Sequence, residues 1–402
     1  MSAQPPTGAP GADDAALGAI EVSFVLPCLN EAETLEGCIA AARRCIEAGG
    51  LSAEIVVADN GSTDGSREIA ARCGARVVSV AERGYGSALA GGFAGARGRY
   101  LVMADADGSY DLAAALPFVE RLRAGYDLVM GSRLRGRILP GAMPRKNRLI
   151  GNPVLSGIGR LLFRTPVSDF HCGMRALTRA AFDRLDLRTT GMEFASEMVV
   201  KASLQGMRIA EVPIDLHPDG RSRPPHLRPW RDGWRHLRFM LLLSPLWALF
   251  VPGVVLTALG LVLGALVAFG PLRAGSVVFD VHTLVLASLM TIVGYQAVTV
   301  SLAVRIYGLV EALGVPSPLL ERAFRYLTFE RGLVAGALAA VVGVGLIGRV
   351  AFGWAAAGFG PLDLAQTIRP TIVGATLAAL GTQTILMSTV YSMLGIPRRG
   401  PG

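Results

Sequence analysis

Cysteine is scarce in this sequence and poorly spaced for chemistry. Cys28, Cys38, Cys45, Cys73 and Cys172 form no C-x-x-C pair and are odd in number. A disulfide framework is therefore not expected, and they read as small core residues of a reducing compartment. No His and Cys spacing suits zinc, and His171 is more simply a packed or hydrogen-bonded histidine than a base. The first twenty residues lack both a basic start and a long apolar core, so 1–20 reads as a disordered tail and not as a signal peptide, which leaves the domain after it in the cytoplasm. There is no basic-aromatic RNA-binding signature and no recognition-helix motif, so nucleic acid is not an expected partner.

What the chain has in excess is apolar residues and arginine. It runs to 402 residues, 51% of them apolar, with a formal charge of +8 carried almost wholly by arginine. Such a balance suits phosphate or anionic lipid. The apolar excess is uneven. Up to about Phe239 the composition is that of a mixed soluble domain, and beyond it four uncharged stretches, Leu246 to Phe269, Thr283 to Val304, Leu333 to Trp354 and Thr371 to Met393, are each long enough to span a bilayer. The expected organisation is a domain over 21–220, a basic amphipathic helix over 221–240, a helical membrane region over 241–395 and a short tail over 396–402. In the basic segment Trp230, Trp234 and Leu237 share a face while Arg231, Arg235 and Arg238 lie elsewhere, the pattern of a helix in the membrane interface. Arginines between Arg305 and Arg331, with Arg398 and Arg399, place both termini and that connection on the cytoplasmic side.

Before Phe239, short β-type runs alternate with helical patterns. Val22 to Leu26, Ile55 to Ala58, Val77 to Val80, Tyr100 to Ala104 and Leu128 to Met130 are compact apolar strands suited to burial on both faces. A helix with Leu35, Ile39, Ala42 and Ile46 on one stripe lies between the first two, opened by an Asn30-x-x-Glu33 cap. Strand-helix-strand repetition means an α/β fold with a mostly parallel sheet, and ligands of such sheets bind beyond the carboxyl ends of the strands.

Polar clusters fall at those ends. In Val102-Met103-Ala104-Asp105-Ala106-Asp107-Gly108-Ser109 an apolar strand runs into two carboxylates, which a turn can aim at one hard cation, Mg²⁺ or Mn²⁺, bridging a diphosphate. An isolated D-x-D equally caps a turn. Its context is Leu26-Pro27-Cys28-Leu29-Asn30-Glu31 at the first strand end and Asp59-Asn60-Gly61-Ser62-Thr63-Asp64-Gly65 at the second. Here the sequence resembles the family-two inverting glycosyltransferases of the GT-A fold, a Rossmann-like α/β domain, in which these loops hold the nucleoside and the D-x-D holds metal and diphosphate. The resemblance implies that Pro27, Asn30, Glu31 and Asp59 contact base and ribose, with Asp105 and Asp107 as metal ligands and catalytic groups. Asn60 stands where the family more often has a second Asp. Glu82-Arg83-Gly84-Tyr85-Gly86 opens a helix after the third strand, and Arg83 and Gly84 there serve either the donor site or a tight turn.

A second set follows Gly131-Ser132-Arg133: the Arg- and Pro-rich loop to Arg148, Asn152-Pro153, and Ser168-Asp169-Phe170-His171-Cys172-Gly173-Met174-Arg175. This resembles the polyprenyl-phosphate branch of the family, relatives of dolichol-phosphate mannose and glucose synthases. It implies that Arg133, Arg148 and Arg175 meet the acceptor phosphate. Asp169, Glu193 and Glu197 are candidate sugar contacts, or structural ion-pair members. The implied partners are a nucleotide-sugar donor, a polyprenyl phosphate and membrane lipid, and the implied reaction is an inverting displacement at the anomeric carbon. Two other readings are a processive polysaccharide synthase, whose usual Q-x-x-R-W is lacking, and a catalytically silent nucleotide-binding scaffold.

Overall fold

The computed structural model describes residues 20–222, 229–310 and 328–394. The tail over 1–19 and Arg322, Arg325, Arg398 and Arg399 lie outside the described residues. The chain separates into two compact units, Met1–Met240 and Leu241–Gly402.

The first unit is built on seven strands: β1 (Val22–Cys28), β2 (Ala53–Asp59), β3 (Arg76–Ser79), β4 (Tyr100–Met103), β5 (Leu128–Ser132), β6 (Arg175–Thr178) and β7 (Ile209–Pro213), in the order β3-β2-β1-β4-β6-β5-β7. Pairing is parallel except where β6 runs antiparallel to both β4 and β5. The expected mostly parallel α/β sheet is what the chain forms. In β1 all but one residue is buried, because helices cover the sheet on both faces. Helix α1 (Leu35–Gly49) buries Leu35, Cys38, Ile39, Ala42 and Cys45 as a stripe and ends at Gly50, whose φ of 55° lies in the left-handed region. Its start differs from the expected cap. Thr34 is the first flanking residue, and Asn30 points its side chain at the next loop instead.

Helices α2 (Ser66–Arg72), α3 (Tyr85–Gly95), α4 (Leu116–Arg123), α5 (Asn152–Phe163), α6 (Arg179–Leu185) and α7 (Phe194–Leu204) complete the sheet domain, and α8 (Pro229–Leu242) follows. On α8, Trp234, Arg231, Arg235 and Arg238 are exposed while His236 and Met240 are buried. Among the described residues the second unit holds four helices long and apolar enough to cross a membrane, Leu246–Val267, Val281–Gly308, Phe329–Ala356 and Gln366–Leu394. They pack through small residues. A Cβ at Gly336 would lie 2.7 Å from the carbonyl of Gly381, and one at Gly343 would lie 2.5 Å from that of Gly374, the close backbone approach that apolar spans use in place of a hydrophobic drive. Hydroxyl pairs Ser288–Thr376 and Tyr295–Thr384 add polar links across helices.

Strand β6 is the element that periodicity misses, since Arg175-Ala176-Leu177-Thr178 is short and opens on a charge. Arg175 is completely buried. Its guanidinium donates to the backbone carbonyls of Cys172 (2.8 Å), Phe170 (3.0 Å) and Ala195. The expectation that Arg175 meets an acceptor phosphate is therefore corrected: a side chain spent on three carbonyls inside the domain has no surface to offer. Arg175→Met should strand those carbonyls at about 1–3 kcal/mol each, lowering the unfolding midpoint of the purified protein markedly. An unchanged midpoint with a purely kinetic defect would return Arg175 to the acceptor site.

Candidate functional site

Parallel pairing sets Cys28 opposite Asp59, and β4 ends at Met103 opposite Val25, so β1, β2 and β4 send the loops that follow them to the same edge of the sheet. The loops that follow brace one another. Asn30, at φ 59°, accepts from the Thr63 amide at 2.8 Å, and its own amide donates to Ser62 Oγ at 2.9 Å. Asp59, 2% exposed, accepts from the amides of Gly61 and Ser62 and so holds the turn of its own loop. Pro27 lies within β1, opposite Ala58. Asn60 ties in the third loop: its amide donates to the carbonyls of Val80 (3.1 Å) and Glu82 (2.7 Å), while its carbonyl oxygen accepts from Gly84 N at 2.8 Å. An Asp could make only the last of these bonds, which gives the departure from the family pattern a structural meaning.

At the centre lie the two carboxylates of the D-x-D. Asp105 accepts from the Tyr85 hydroxyl at 2.9 Å. Burial and the neighbouring Asp107 carboxylate push Asp105 up to about 6, against the Tyr85 bond and the Arg221 and Arg133 guanidinium groups. Asp107 accepts from the amide and hydroxyl of Ser109 and pairs at 2.9 Å with Arg221. Arg221 also reaches Glu31 at 3.2 Å and Asp219 at 3.1 Å. Burial opposes its charge, but Asp107 and Glu31 outweigh burial and raise its pKa. Hard carboxylate oxygens are what Mg²⁺ or Mn²⁺ takes, and Asp105 and Asp107 fit such an ion as a partial set. Among the described residues no three His, Cys, Asp or Glu groups converge to hold one.

The residues that follow Gly131-Ser132-Arg133 adjoin this centre. A Cβ at Gly173 would lie 2.4 Å from Asp105 Oδ2, so the Ser168–Arg175 segment packs directly on the D-x-D. Within that segment Asp169 is fully buried and receives the Arg133 fork, Nε at 2.7 Å and Nη2 at 2.8 Å, plus the Arg133 amide at 3.0 Å. Asp169 therefore orients Arg133 and does not face a sugar. Glu211 reinforces the corner, accepting from the Ser168 hydroxyl and the amides of Ser168 and Asp169. Arg133 and Arg148 line one cavity of about 450 Å³, whose other walls include Leu134, Ile138, Leu139 and Leu149.

Other expectations are redirected. At the α3 N-terminus the amides of Gly86 and Ser87 are already engaged, because both donate to the Thr190 carbonyl. Gly84 is required for packing: at φ 138° a Cβ there would lie 2.1 Å from that same oxygen. Arg83 is exposed on this turn. Glu197, 3% exposed, accepts from the Arg188 and Thr189 amides and the Thr189 hydroxyl and pairs with Lys201 at 2.7 Å. It pins the 188–190 loop that α3 leans on and is no sugar contact. Glu193 flanks α7 with a buried Oε2 that has no partner among the described residues, and it keeps its candidacy for a sugar hydroxyl. His171 stacks edge-on to His236 at 4.5 Å, and burial drives its pKa well below 6.5, a packed histidine as expected. Sequence reading missed Tyr85 and Arg221. Tyr85 hides in what looks like a glycine turn, and Arg221 hides in a basic run that reads as juxtamembrane.

Asn60→Asp tests the loop brace. It removes two donated bonds and sets a carboxylate against two carbonyls, so a loss of about 1–3 kcal/mol is expected, read as a lowered unfolding midpoint. Retention of the wild-type midpoint would mean that the three loops do not depend on Asn60.

Two family models match the chain: glycosyl transferase family 2 over residues 23–186, and the glycosyltransferase family 2 C-terminal transmembrane region over 302–395. The low-salt glycan biosynthesis hexosyltransferase Agl6 of Haloferax volcanii is 35% identical over 375 residues, 93% of this chain and 89% of that protein. A dolichyl-phosphate hexose transferase of the same organism is 32% identical over 197 residues, 48% of this chain and 82% of that protein. A solved structure of glucosyl-3-phosphoglycerate synthase from Mycobacterium tuberculosis, in complex with Mn²⁺ and UDP-glucose, is 26% identical, covers 60% of this chain and 84% of its own, and has a TM-score of 0.44. With the sheet, the three braced loops and the membrane helices in place, this chain belongs to glycosyltransferase family 2, as a membrane protein with the family's C-terminal transmembrane region.

Proposed function

We propose that this protein transfers a sugar from a nucleotide-diphosphate donor to a polyprenyl phosphate, with inversion, at the cytoplasmic face of the cell's inner membrane. The observation that carries the acceptor is the cavity of about 450 Å³ in which Arg133 and Arg148 meet Leu134, Ile138, Leu139 and Leu149. Guanidinium groups beside aliphatic walls suit a phosphate that carries an apolar tail. The similarity to a dolichyl-phosphate hexose transferase supports the same acceptor. The donor reading rests on the loops of Asn30, Glu31 and Asp59 beside the carboxylates of Asp105 and Asp107.

In this mechanism Arg133, locked by Asp169, presents a fixed cation to the acceptor phosphate. A phosphate monoester has its second pKa near ~6 and is largely a dianion at neutral pH, so no strong general base is required. Alignment of that oxygen with the anomeric carbon, achieved by Arg133 and Arg148, supplies a large share of the rate. A divalent cation held by Asp105 and Asp107 would offset the negative charge of the leaving nucleotide diphosphate. Arg221, paired with Asp107 and Glu31, lies where donor phosphates would add to the same charge balance. Tyr85 holds the Asp105 carboxylate in place through its hydroxyl.

Arg133→Ala would leave the buried Asp169 carboxylate unpaired, at about 3–5 kcal/mol, so Arg148 gives the cleaner test. Arg148 is exposed, and Arg148→Ala should raise the KM for polyprenyl phosphate about tenfold while leaving nucleotide binding and the unfolding midpoint unchanged. Arg133→Lys should keep the charge, lose the planar fork and depress both kcat and lipid-phosphate affinity. Steady-state kinetics with varied lipid phosphate, alongside direct nucleotide titration, separates the sites. If both variants weaken nucleotide binding and leave the lipid-phosphate dependence alone, the cavity belongs to the donor. For the donor site, Asp107→Ala should abolish transfer at saturating Mn²⁺ or Mg²⁺, and near-normal turnover in that variant would remove Asp107 from the mechanism.

A further inference from the structure

Asp107 is held on both of its oxygens. Its Oδ1 accepts from the amide and hydroxyl of Ser109 at 2.9 and 2.6 Å, and its Oδ2 accepts from Arg221 Nη2 at 2.9 Å. The two interactions differ in kind. Ser109 brings dipoles that leave the carboxylate its charge, whereas Arg221 brings a full positive charge to the oxygen that Ser109 leaves for a divalent cation. The Arg221 and Asp107 side chains are only 10% and 13% exposed, and in a site so enclosed two cations on one oxygen repel strongly. Guanidinium and metal therefore compete for Asp107 Oδ2.

The backbone on either side of Arg221 is pinned. The Gly220 amide donates to the Asp107 carbonyl at 2.9 Å, and the Ser222 amide donates to Glu33 at 2.7 Å, joined there by the Ser222 hydroxyl. Any exchange thus falls to the Arg221 side chain alone. That side chain keeps other partners when it leaves Asp107, since Nη1 reaches Glu31 at 3.2 Å and Nη2 also reaches Asp219 at 3.1 Å. Its Nε is buried and has no partner among the described residues, so the guanidinium is not fully satisfied where it lies. Diphosphate oxygens are the acceptors that such a fork takes best. We propose that Arg221 is an exchangeable counterion of the D-x-D: it holds Asp107 Oδ2 and yields it to a divalent cation that arrives with a nucleotide diphosphate, whose oxygens then take up the guanidinium. Cation and nucleotide diphosphate each raise the affinity for the other, and by linkage the two factors are equal. The inference rests on the reading of Asp105 and Asp107 as cation ligands and adds what keeps the cation off them until the nucleotide is present.

The test is Mn²⁺ binding to the full chain in lipid nanodiscs, followed by the loss of the free Mn²⁺ electron-spin resonance, with no nucleotide and with UDP or GDP. In the unsubstituted protein one of the two nucleotides should tighten Mn²⁺ binding, and Asp107→Asn should abolish it. Arg221→Met should tighten Mn²⁺ binding without nucleotide about tenfold, and the further gain on adding nucleotide should shrink by the same factor. Arg221→Lys keeps a charge, and so spares the fold, but loses the fork that spans three carboxylates; its Mn²⁺ affinity should fall between the other two. Arg67, 52% exposed and 3.8 Å from Asp59, controls for net charge, and Arg67→Met should change Mn²⁺ affinity by less than about twofold. Unchanged or weaker Mn²⁺ binding in both Arg221 variants overturns the proposal alone, provided that Asp107→Asn still loses the ion. An equal gain in Arg67→Met also overturns it, since the effect would then be a general field. Mn²⁺ that stays bound in Asp107→Asn takes the cation away from the D-x-D and overturns both readings together.

Discussion

Everything in the first unit hangs on the parallel register of β1 with β2 on one side and β4 on the other. Parallel pairing points successive strands the same way, so β1, β2 and β4 all deliver their following loops to one edge of the sheet. The rim is then stiffened by polar groups that reach between loops: Asn30 to Thr63, Asn60 to Glu82 and Gly84, Thr34 to the carbonyl of Ala106. The D-x-D carboxylates sit in this frame without needing a rigid helix of their own.

Charge is the second constraint. The site collects carboxylates at close quarters, and each collection carries its own cation: Arg133 on Asp169, Lys201 on Glu197, Arg221 on Asp107, Glu31 and Asp219. Buried pairs of this kind contribute little net stability, because desolvation offsets attraction, but removing one partner is expensive. Their value is positional. Asp169 takes two nitrogens of Arg133 and so fixes the plane of its guanidinium; Glu197 holds the loop whose Thr190 carbonyl closes the start of α3. Arg221 differs from the others in bridging the first loop and the D-x-D. The charge that Asp105 and Asp107 would present to a cation is already partly answered by a residue more than a hundred positions later in the chain.

Much of this was legible in residue order. Alternating strands and helices announced the parallel sheet, the apolar lengths announced four spans, and the motifs at strand ends announced which loops matter. The individual roles were less legible, because a motif names a position and not a side chain's partner. Glu193 and Glu197, one turn apart, looked equivalent, yet among the described residues one has an oxygen without a partner and the other is wholly engaged. Arg133 and Arg175 both close family-like motifs, yet Arg175 falls in the antiparallel strand wedged between β4 and β5, where its guanidinium donates to backbone carbonyls.

The sequence by itself determined the division into a sheet domain and membrane helices and the identity of the loops, because hydrophobic period and length are local properties that no distant contact needs to complete. It also determined the family, through three motifs in order. Only the tertiary structure decided which charged groups remain available to a ligand, since that depends on partners supplied from far along the chain: Asp169 for Arg133, Asp107 for Arg221, the Thr190 carbonyl for the amides of α3. Burial and pairing act between distant segments, and a side chain's availability is what remains after both.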